Sequence, residues 1–181
     1  MALFDLPADR LRAHRSASKE PAGFDRFWAD TLADARRHDL DARFARIPTG
    51  LATVETYDVT FSGFGGHRVK GWFTLPAGTT EPLPLVVEFI GYGGGRGLAH
   101  THLLWASAGY AHFVMDTRGQ GSGWSAGDTD DPVGSSPAVP GFLTRGIEDP
   151  YDFYYRRVFT DAVRAVEAAR SHPLADASRT V

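Results

Sequence analysis

Two glycine-rich stretches carry the residue types that could support chemistry. The first is residues 91–97, with five glycines in seven positions, and the second begins at Asp116 and includes Arg118, Gly119 and Gln120. Glycines directly after a strand allow backbone N–H groups to approach a small anion, which could be a phosphate or the oxyanion of an acyl-transfer reaction. The same glycines could instead serve only to permit a turn with positive φ.

The motifs around these stretches argue against a nucleotide. Residues 91–97 lack the Gly-Lys-Ser/Thr ending of a P-loop, and residues 119–123 do not form G-x-G-x-x-G. Asp116 and Arg118 lie at the carboxyl end of a predicted strand, where ligands bind in open α/β sheets. A buried Arg–Asp network that only holds the loop is at least as consistent with these residue types.

Residues 123–127 match the letters G-x-S-x-G around Ser125. A nucleophile elbow needs a strand before the serine and a helix after it, whereas a loop precedes Ser125 and an acidic run follows it. The alternative of a self-contained triad remains, with His172 as the base and the acid supplied by Asp149, Asp152 or Asp161. Too few strands separate Ser125 from His172 to favour it.

No metal site and no cofactor are expected. The chain has no cysteine. His100 and His102 are two residues apart, and side chains at this spacing on a helix do not share a face. The acidic run at 128–131 lacks the glycine and the distal glutamate of a calcium-binding EF-hand loop.

The order of the elements predicts an α/β fold. Alternating runs around a glycine-rich turn indicate an antiparallel hairpin, at 52–61 and 67–75. Strand, helix, strand, helix and the first residues of another strand are predicted after it, at 84–90, 97–108, 109–116, 151–171 and 176–181. This order indicates an antiparallel hairpin at one edge, followed by parallel strands with crossover helices.

We expect one domain with four parts. They are an N-terminal arm and helix, the first strands with the glycine turn, a long irregular loop and a helix, at 1–40, 52–116, 125–150 and 151–172. The helix in the first part is predicted over 21–37, with an apolar stripe at helical spacing. In the last helix, helical spacing predicts one apolar face, made of Tyr155, Val158, Phe159, Ala162, Val166 and Ala169.

Composition limits the classes of partner. The 181 residues carry a net charge of −3, with scattered basic residues, which does not favour nucleic acid. No apolar run is long enough to span a membrane, and the N-terminus lacks the apolar core of a signal peptide. The expected location is therefore the cytoplasm.

Several longer motifs resemble one family. The chain is similar to the acetyl xylan esterase / cephalosporin C deacetylase family, which is carbohydrate esterase family 7 of the α/β-hydrolases. The motifs that carry the resemblance span most of the chain and occur in the family's order, at 24–28, 91–94, 116–122, 144–147 and 154–166.

The resemblance implies an α/β-hydrolase that removes acetyl groups from small esters, including acetylated xylo-oligosaccharides and cephalosporin C. It implies a Ser-His-Asp mechanism without metal. By position, the backbone N–H of Tyr92 would form half of the oxyanion hole, with Tyr92 and Gly93 contacting the substrate. Asp116, Arg118, Gly119 and Gln120 would support the site, and the family usually assembles as a hexamer.

The chain departs from the family pattern at its end. In the family, the nucleophile elbow directly follows a position like Val181, and the acid and the histidine base lie further on. None of the three is therefore expected in this chain, and a second polypeptide carrying the C-terminal half would have to supply them. The alternative is a non-catalytic scaffold that keeps only the fold.

Overall fold

The structure, a computed structural model, describes residues 5–133 and 141–181. Its strands form one six-stranded sheet in the order β1-β2-β3-β5-β4-β6. Their bounds are Arg43–Ile47 (β1), Val54–Ser62 (β2), Arg68–Pro76 (β3), Leu83–Phe89 (β4), Ala111–Met115 (β5) and Ala175–Thr180 (β6). The helices are Ala8–Ala13 (α1), Phe24–Ala35 (α2), Leu104–Ser107 (α3) and Tyr154–Arg170 (α4), with 3₁₀ turns at Phe64–Gly66 and Phe142–Thr144.

The predicted division of the sheet is confirmed. Strands β1, β2, β3 and β5 pair antiparallel, and β2 and β3 form the predicted hairpin. Strand β4 pairs parallel with both β5 and β6. Strands β4 and β5 are therefore neighbours whose carboxyl ends lie on the same side of the sheet. We call this side the carboxyl edge.

The main core lies between one face of the sheet and α4. Side chains that alternate along β2, β3, β4 and β5 point to this face, and small alanines of α4 let the helix pack closely against them. The buried core residues include Val59, Phe61, Val69, Phe73, Leu75, Leu85, Phe113 and Ala165. Helix α3 packs on the opposite face, against β3 and β5.

The helix predicted over 97–108 is wrong for its first half, because α3 begins only at Leu104. A helix from residue 97 would need the Gly97 carbonyl to accept the Thr101 N–H. Instead, Gly97 O accepts the indole N–H of Trp72 at 3.0 Å, and Thr101 N donates to Leu98 O. The glycine turn therefore does not open directly into a helix.

The apolar face predicted for α4 is buried only in part, at Val158 and Ala169. Tyr155, Ala162 and Val166 are only half-buried, and Phe159 is 51% exposed. The buried side is rotated and carries paired polar groups, among them Arg157, Asp161 and Arg164. Hydrophobic periodicity does not indicate this buried polar side, because it treats every charged residue as a surface residue.

Strand β1 has no counterpart among the predicted strands. It pairs antiparallel with β2, and only Phe44 and Ile47 are partly buried within it. Its alternation is weak because arginines occupy two of its five positions. None of the helices in the described part of the chain is both long and apolar enough to cross a bilayer.

His172 lies in an aromatic cluster at the start of β6. Its ring centroid is 4.4 Å from Phe73, 4.8 Å from Phe44 and 5.5 Å from Tyr57. Its Nδ1 accepts the Leu174 N–H at 3.2 Å, which requires an unprotonated nitrogen. Burial lowers the pKa of His172 below its usual value.

We therefore predict that acid weakens the fold partly through His172. In the unfolded chain, His172 takes up a proton near pH 6.5, whereas in the folded protein it does so only at lower pH. The free energy of unfolding should therefore fall as the pH drops below about 6.5. In His172→Phe the slope should be shallower, but His67 and His112 should keep part of it because burial also lowers their pKa values. Urea denaturation between pH 7.5 and 5 measures this, with exposed His100→Phe as the control. An unchanged slope in His172→Phe would contradict the assignment.

Candidate active site

The candidate site lies at the carboxyl edge, where two loops meet. The glycine loop (residues 91–97) follows β4, and the Gln120 loop (residues 116–133) follows β5. The two strands end in register, with Phe89 opposite Met115. The sheet thus places the two glycine-rich stretches of the sequence beside each other.

Backbone hydrogen bonds join the two loops. Gly95 N donates to Ser125 O at 2.9 Å, and Gly97 N donates to Ala126 O at 2.8 Å. In the opposite direction, Gly123 N donates to Gly93 O at 3.0 Å. A Cβ on Gly95 would lie 2.2 Å from the backbone of the Gln120 loop, so this close approach requires glycine.

Asp116 anchors both loops with one carboxylate. Its Oδ1 accepts the Arg96 N–H at 2.8 Å, and its Oδ2 accepts the Asp128 N–H at 2.6 Å. The side chain is fully buried. Asp116 therefore acts on the backbone of the loops and does not reach the solvent.

Arg96, the one cation in the glycine loop, is buried and bound to acidic side chains. Its guanidinium stacks 3.8 Å over the ring of Trp72 and donates to Asp58 and Asp128, at 2.6 and 2.9 Å. It is only 3% exposed. Because its charge is already paired, Arg96 is not available to bind a phosphate.

An apolar cavity of about 390 Å³ lies beside the glycine loop. Its walls contain no charged residue and are formed by Phe89, Ile90, Tyr92, Met115, Thr117, Gln120, Tyr155, Val158, Phe159 and Ala162. A bound phosphate would need Arg, Lys or a metal to balance its charge. The cavity is better suited to a small neutral group, such as an acyl group.

Tyr92 projects its ring into the wall of this cavity and is fixed at its far end. Its hydroxyl oxygen accepts the N–H groups of Gly141 and Phe142, at 3.3 and 3.1 Å. Its ring packs edge-on against Phe142, with centroids 5.7 Å apart. The phenol is therefore a structural link between the glycine loop and the 3₁₀ turn at 142–144.

The backbone of Tyr92 is held on one side only. Its carbonyl accepts the Trp124 indole N–H at 3.0 Å. Its own N–H donates to none of the described residues. The next N–H, that of Gly93, donates to Gln120 Oε1 at 2.6 Å.

Gln120 links this loop to α4. Its Nε2 donates to the hydroxyl of Tyr154 at 3.0 Å, and Tyr154 donates in turn to Arg118 O. Gln120 is 9% exposed and Tyr154 is fully buried. Gly119 adopts a φ of 67°, and its N–H donates to Thr129 O at 2.8 Å.

The side chain of Arg118 extends from the Gln120 loop into a fully buried ion-pair network. It binds both oxygens of Asp161, at 2.5 and 2.8 Å, and donates to Asp131 at 3.2 Å. Burial opposes its charge, but Asp161 and Asp131 hold the pKa of Arg118 above its usual value. Asp131 also binds Arg157 at 3.0 Å. This network joins the loop to α4 and does not reach the cavity.

The geometry does not bring Ser125 and His172 together. Ser125 lies against the glycine loop at the carboxyl edge. His172 follows the far end of α4, whose 17 residues span roughly 25 Å. The acid candidate Asp161 is already committed to Arg118.

His100 and His102 do not lie on a helix, as the sequence had suggested, because both precede α3. His100 is exposed, and His102 Nδ1 lies 3.5 Å from Glu88 Oε1. Within residues 5–133 and 141–181, no three His, Cys, Asp or Glu side chains are placed to hold a metal ion. Part of the predicted long loop, residues 134–140, lies outside the described residues.

Comparison with known proteins identifies the family. The family model for acetyl xylan esterase (AXE1) matches residues 1–181. The chain belongs to this family. It is 34% identical to the acetyl xylan esterase from Paenibacillus sp. R4, with a TM-score of 0.82 over 97% of this chain. It is 27% identical to acetyl xylan esterase 1 from Thermoanaerobacterium sp. JW/SL YS485, with a TM-score of 0.84 over 98% of this chain.

The predicted fold is confirmed by these similarities. The six-stranded sheet corresponds to the N-terminal portion of the α/β-hydrolase-like fold of the two esterases. The chain spans 55% of the length of each of them.

Sequence reasoning missed three residues that shape the site. Tyr154, Asp131 and Trp124 each fix a loop through a side-chain hydrogen bond. Tyr154 lay within a motif of the family resemblance, and Trp124 within the G-x-S-x-G match. Neither pattern indicates the bonding partner, because each partner lies about thirty residues away along the chain.

We predict that removing one side of the Arg118–Asp161 pair strongly destabilises the protein. Arg118→Leu would leave Asp161 buried and unpaired, so the free energy of unfolding should fall by about 3–5 kcal/mol. The control is Arg36→Leu, because Arg36 pairs with Glu167 at 2.7 Å while its side chain is 52% exposed. That pair should contribute no more than about 1 kcal/mol. Urea denaturation measures both variants. Equal losses of unfolding free energy in Arg118→Leu and Arg36→Leu would contradict the prediction.

Proposed function

We propose that this protein functions as an acetylesterase of the serine-hydrolase type. The proposed substrates are acetylated xylo-oligosaccharides and small acetyl esters of the cephalosporin C kind. Membership of the acetyl xylan esterase family supports the reaction class. The observation that carries the proposal is the backbone N–H of Tyr92, which has no acceptor among the described residues and lies beside a small cavity without charged walls.

The proposed oxyanion donor is the peptide unit between Gly91 and Tyr92. Its carbonyl end is occupied, because Gly91 O accepts the Gly94 N–H at 3.1 Å. In a trans peptide the N–H points away from the carbonyl, so this bond also fixes the direction of the Tyr92 N–H. A donor fixed before the reaction can stabilise a developing oxyanion without reorganisation.

In the proposed mechanism, a serine attacks the acetyl carbonyl and the carbonyl oxygen becomes negatively charged. The Tyr92 N–H would donate to that oxygen and stabilise the transition state by about 3–4 kcal/mol. A histidine would take the proton of the serine and later pass it to the leaving alcohol, while an acid orients the histidine. The Tyr92 ring would form one wall of the acyl pocket.

We place the serine, the acid and the histidine outside residues 1–181, in a part of the protein that completes the sheet. Two observations support this. First, Ser125 lies at the carboxyl edge, whereas His172 lies at the opposite ends of the strands, just before β6. Second, large apolar side chains beside the cavity remain exposed, namely Phe89 (47%) and Phe159 (51%). The part of the protein that carries the elbow would cover them.

We predict that acetate is released from acetylated xylo-oligosaccharides and from p-nitrophenyl acetate, and that Ser125→Ala retains this activity. Ser125 touches the glycine loop through its backbone carbonyl, so the variant keeps that contact. A fluorophosphonate probe should label a serine in a peptide other than the one that contains Ser125. Acetate release by enzymatic assay and peptide mass spectrometry measure the two results.

Two outcomes would contradict the proposal. Labelling of Ser125 together with loss of activity in Ser125→Ala would favour a self-contained hydrolase. Acetate release no faster than the buffer background would favour a non-catalytic scaffold.

A further inference from the structure

Tyr154, the first residue of α4, is buried beneath the two loops although no part of it faces the cavity. Its hydroxyl makes two hydrogen bonds. It donates to Arg118 O at 2.5 Å and accepts from Gln120 Nε2 at 3.0 Å. Burial raises the pKa of Tyr154, so the hydroxyl keeps its proton throughout the neutral range.

These two bonds determine which way the amide of Gln120 faces. The single proton of Tyr154 is used on Arg118 O, so the hydroxyl can only accept from Gln120. The nitrogen end of the amide must therefore point to Tyr154, and the oxygen end is left facing the glycine loop. That oxygen accepts the Gly93 N–H at 2.6 Å.

The Gly93 N–H belongs to the peptide unit directly after Tyr92. The other end of this unit is also held, since Tyr92 O accepts from Trp124 at 3.0 Å. Gly93 itself has a φ of 82°, a conformation that favours glycine. Because hydrogen bonds hold both ends of the Tyr92–Gly93 peptide, the preceding Gly91–Tyr92 peptide cannot rotate freely.

We propose that Tyr154 is a positioning residue, which acts through Gln120 and Gly93 to aim the Tyr92 N–H at the cavity. This role rests on the proposed function of that N–H in ester hydrolysis. Tyr154 does not touch substrate. It keeps the acceptor oxygen of Gln120 turned toward the glycine loop.

The direct test is hydrogen exchange of single amides by NMR in Tyr154→Phe. This variant removes only the hydroxyl, so the Gln120 amide is free to turn and the Gly93 N–H loses its fixed acceptor. The Gly93 amide should then exchange roughly tenfold faster, as expected for the loss of one neutral hydrogen bond. The amides of β4 and β5 should keep their wild-type rates.

The matched control is Tyr151→Phe, because Tyr151 is 58% exposed and lies just before the same helix. In Tyr151→Phe, the Gly93 amide should exchange at the wild-type rate. A second variant, Gln120→Met, removes the acceptor but leaves Tyr154 in place, and should give the same local effect at Gly93. An unchanged Gly93 rate, or an equal acceleration throughout β4 and β5, would overturn the proposal.

Kinetics provide an independent readout. In Tyr154→Phe, kcat for acetate release should fall roughly tenfold with KM nearly unchanged, because the aimed donor acts in the transition state. A matching rise in KM with constant kcat would overturn the positioning role. If the wild-type protein releases no acetate, the proposed function fails, while the Gly93 exchange rates still decide whether Tyr154 holds the loop.

Discussion

The site depends on a buried ion pair between Arg118 and Asp161. Arg118 follows β5, Asp161 lies on α4, and Asp161 also accepts the Phe64 N–H from the turn between β2 and β3, at 2.8 Å. Three separate parts of the chain therefore meet at one carboxylate. A Cβ on Gly63 would lie 2.2 Å from that carboxylate, so the turn must carry glycine to approach it. Together with the bond between Asp131 and Arg157, this pair fixes α4 against the Gln120 loop and keeps the hydroxyl of Tyr154 within reach of Gln120.

The glycine loop has no regular secondary structure of its own, and its shape is imposed by its neighbours. Asp116 holds the amide of Arg96, Gln120 holds the amide of Gly93, and the Gln120 loop accepts from two more glycines. Most of the N–H groups in the loop are thus satisfied, as buried backbone must be. The N–H groups of Gly91 and Tyr92 are the exceptions, since neither has an acceptor among the described residues. Of the two residues, Tyr92 lines the cavity, which is the reason to assign its N–H a ligand.

The sequence alone predicted the sheet better than the packing. The hairpin and the parallel strands were predictable because alternation and continuous apolar runs reflect burial directly. The first half of 97–108 was mispredicted because an indole N–H from β3 competes for a carbonyl that a helix would use. The buried polar side of α4 was not predictable because Arg157 and Asp161 are buried through pairing with distant residues. The two glycine-rich stretches were recognisable as site residues, but their bonding to Tyr154 and Trp124 was not, since no local pattern encodes contacts of that range.

The central claim is that the Tyr92 N–H stabilises the oxyanion, and it can be tested by removing that one hydrogen. Replacing Tyr92 with its α-hydroxy acid changes the N–H to an ester oxygen and keeps the ring and its hydroxyl. The same replacement at exposed Leu98 controls for the altered backbone. The measurement is kcat for acetate release from an acetylated xylo-oligosaccharide. The account predicts a fall of about 10²–10³-fold at position 92 and little change at position 98. A kcat within twofold of wild type at position 92 would contradict it.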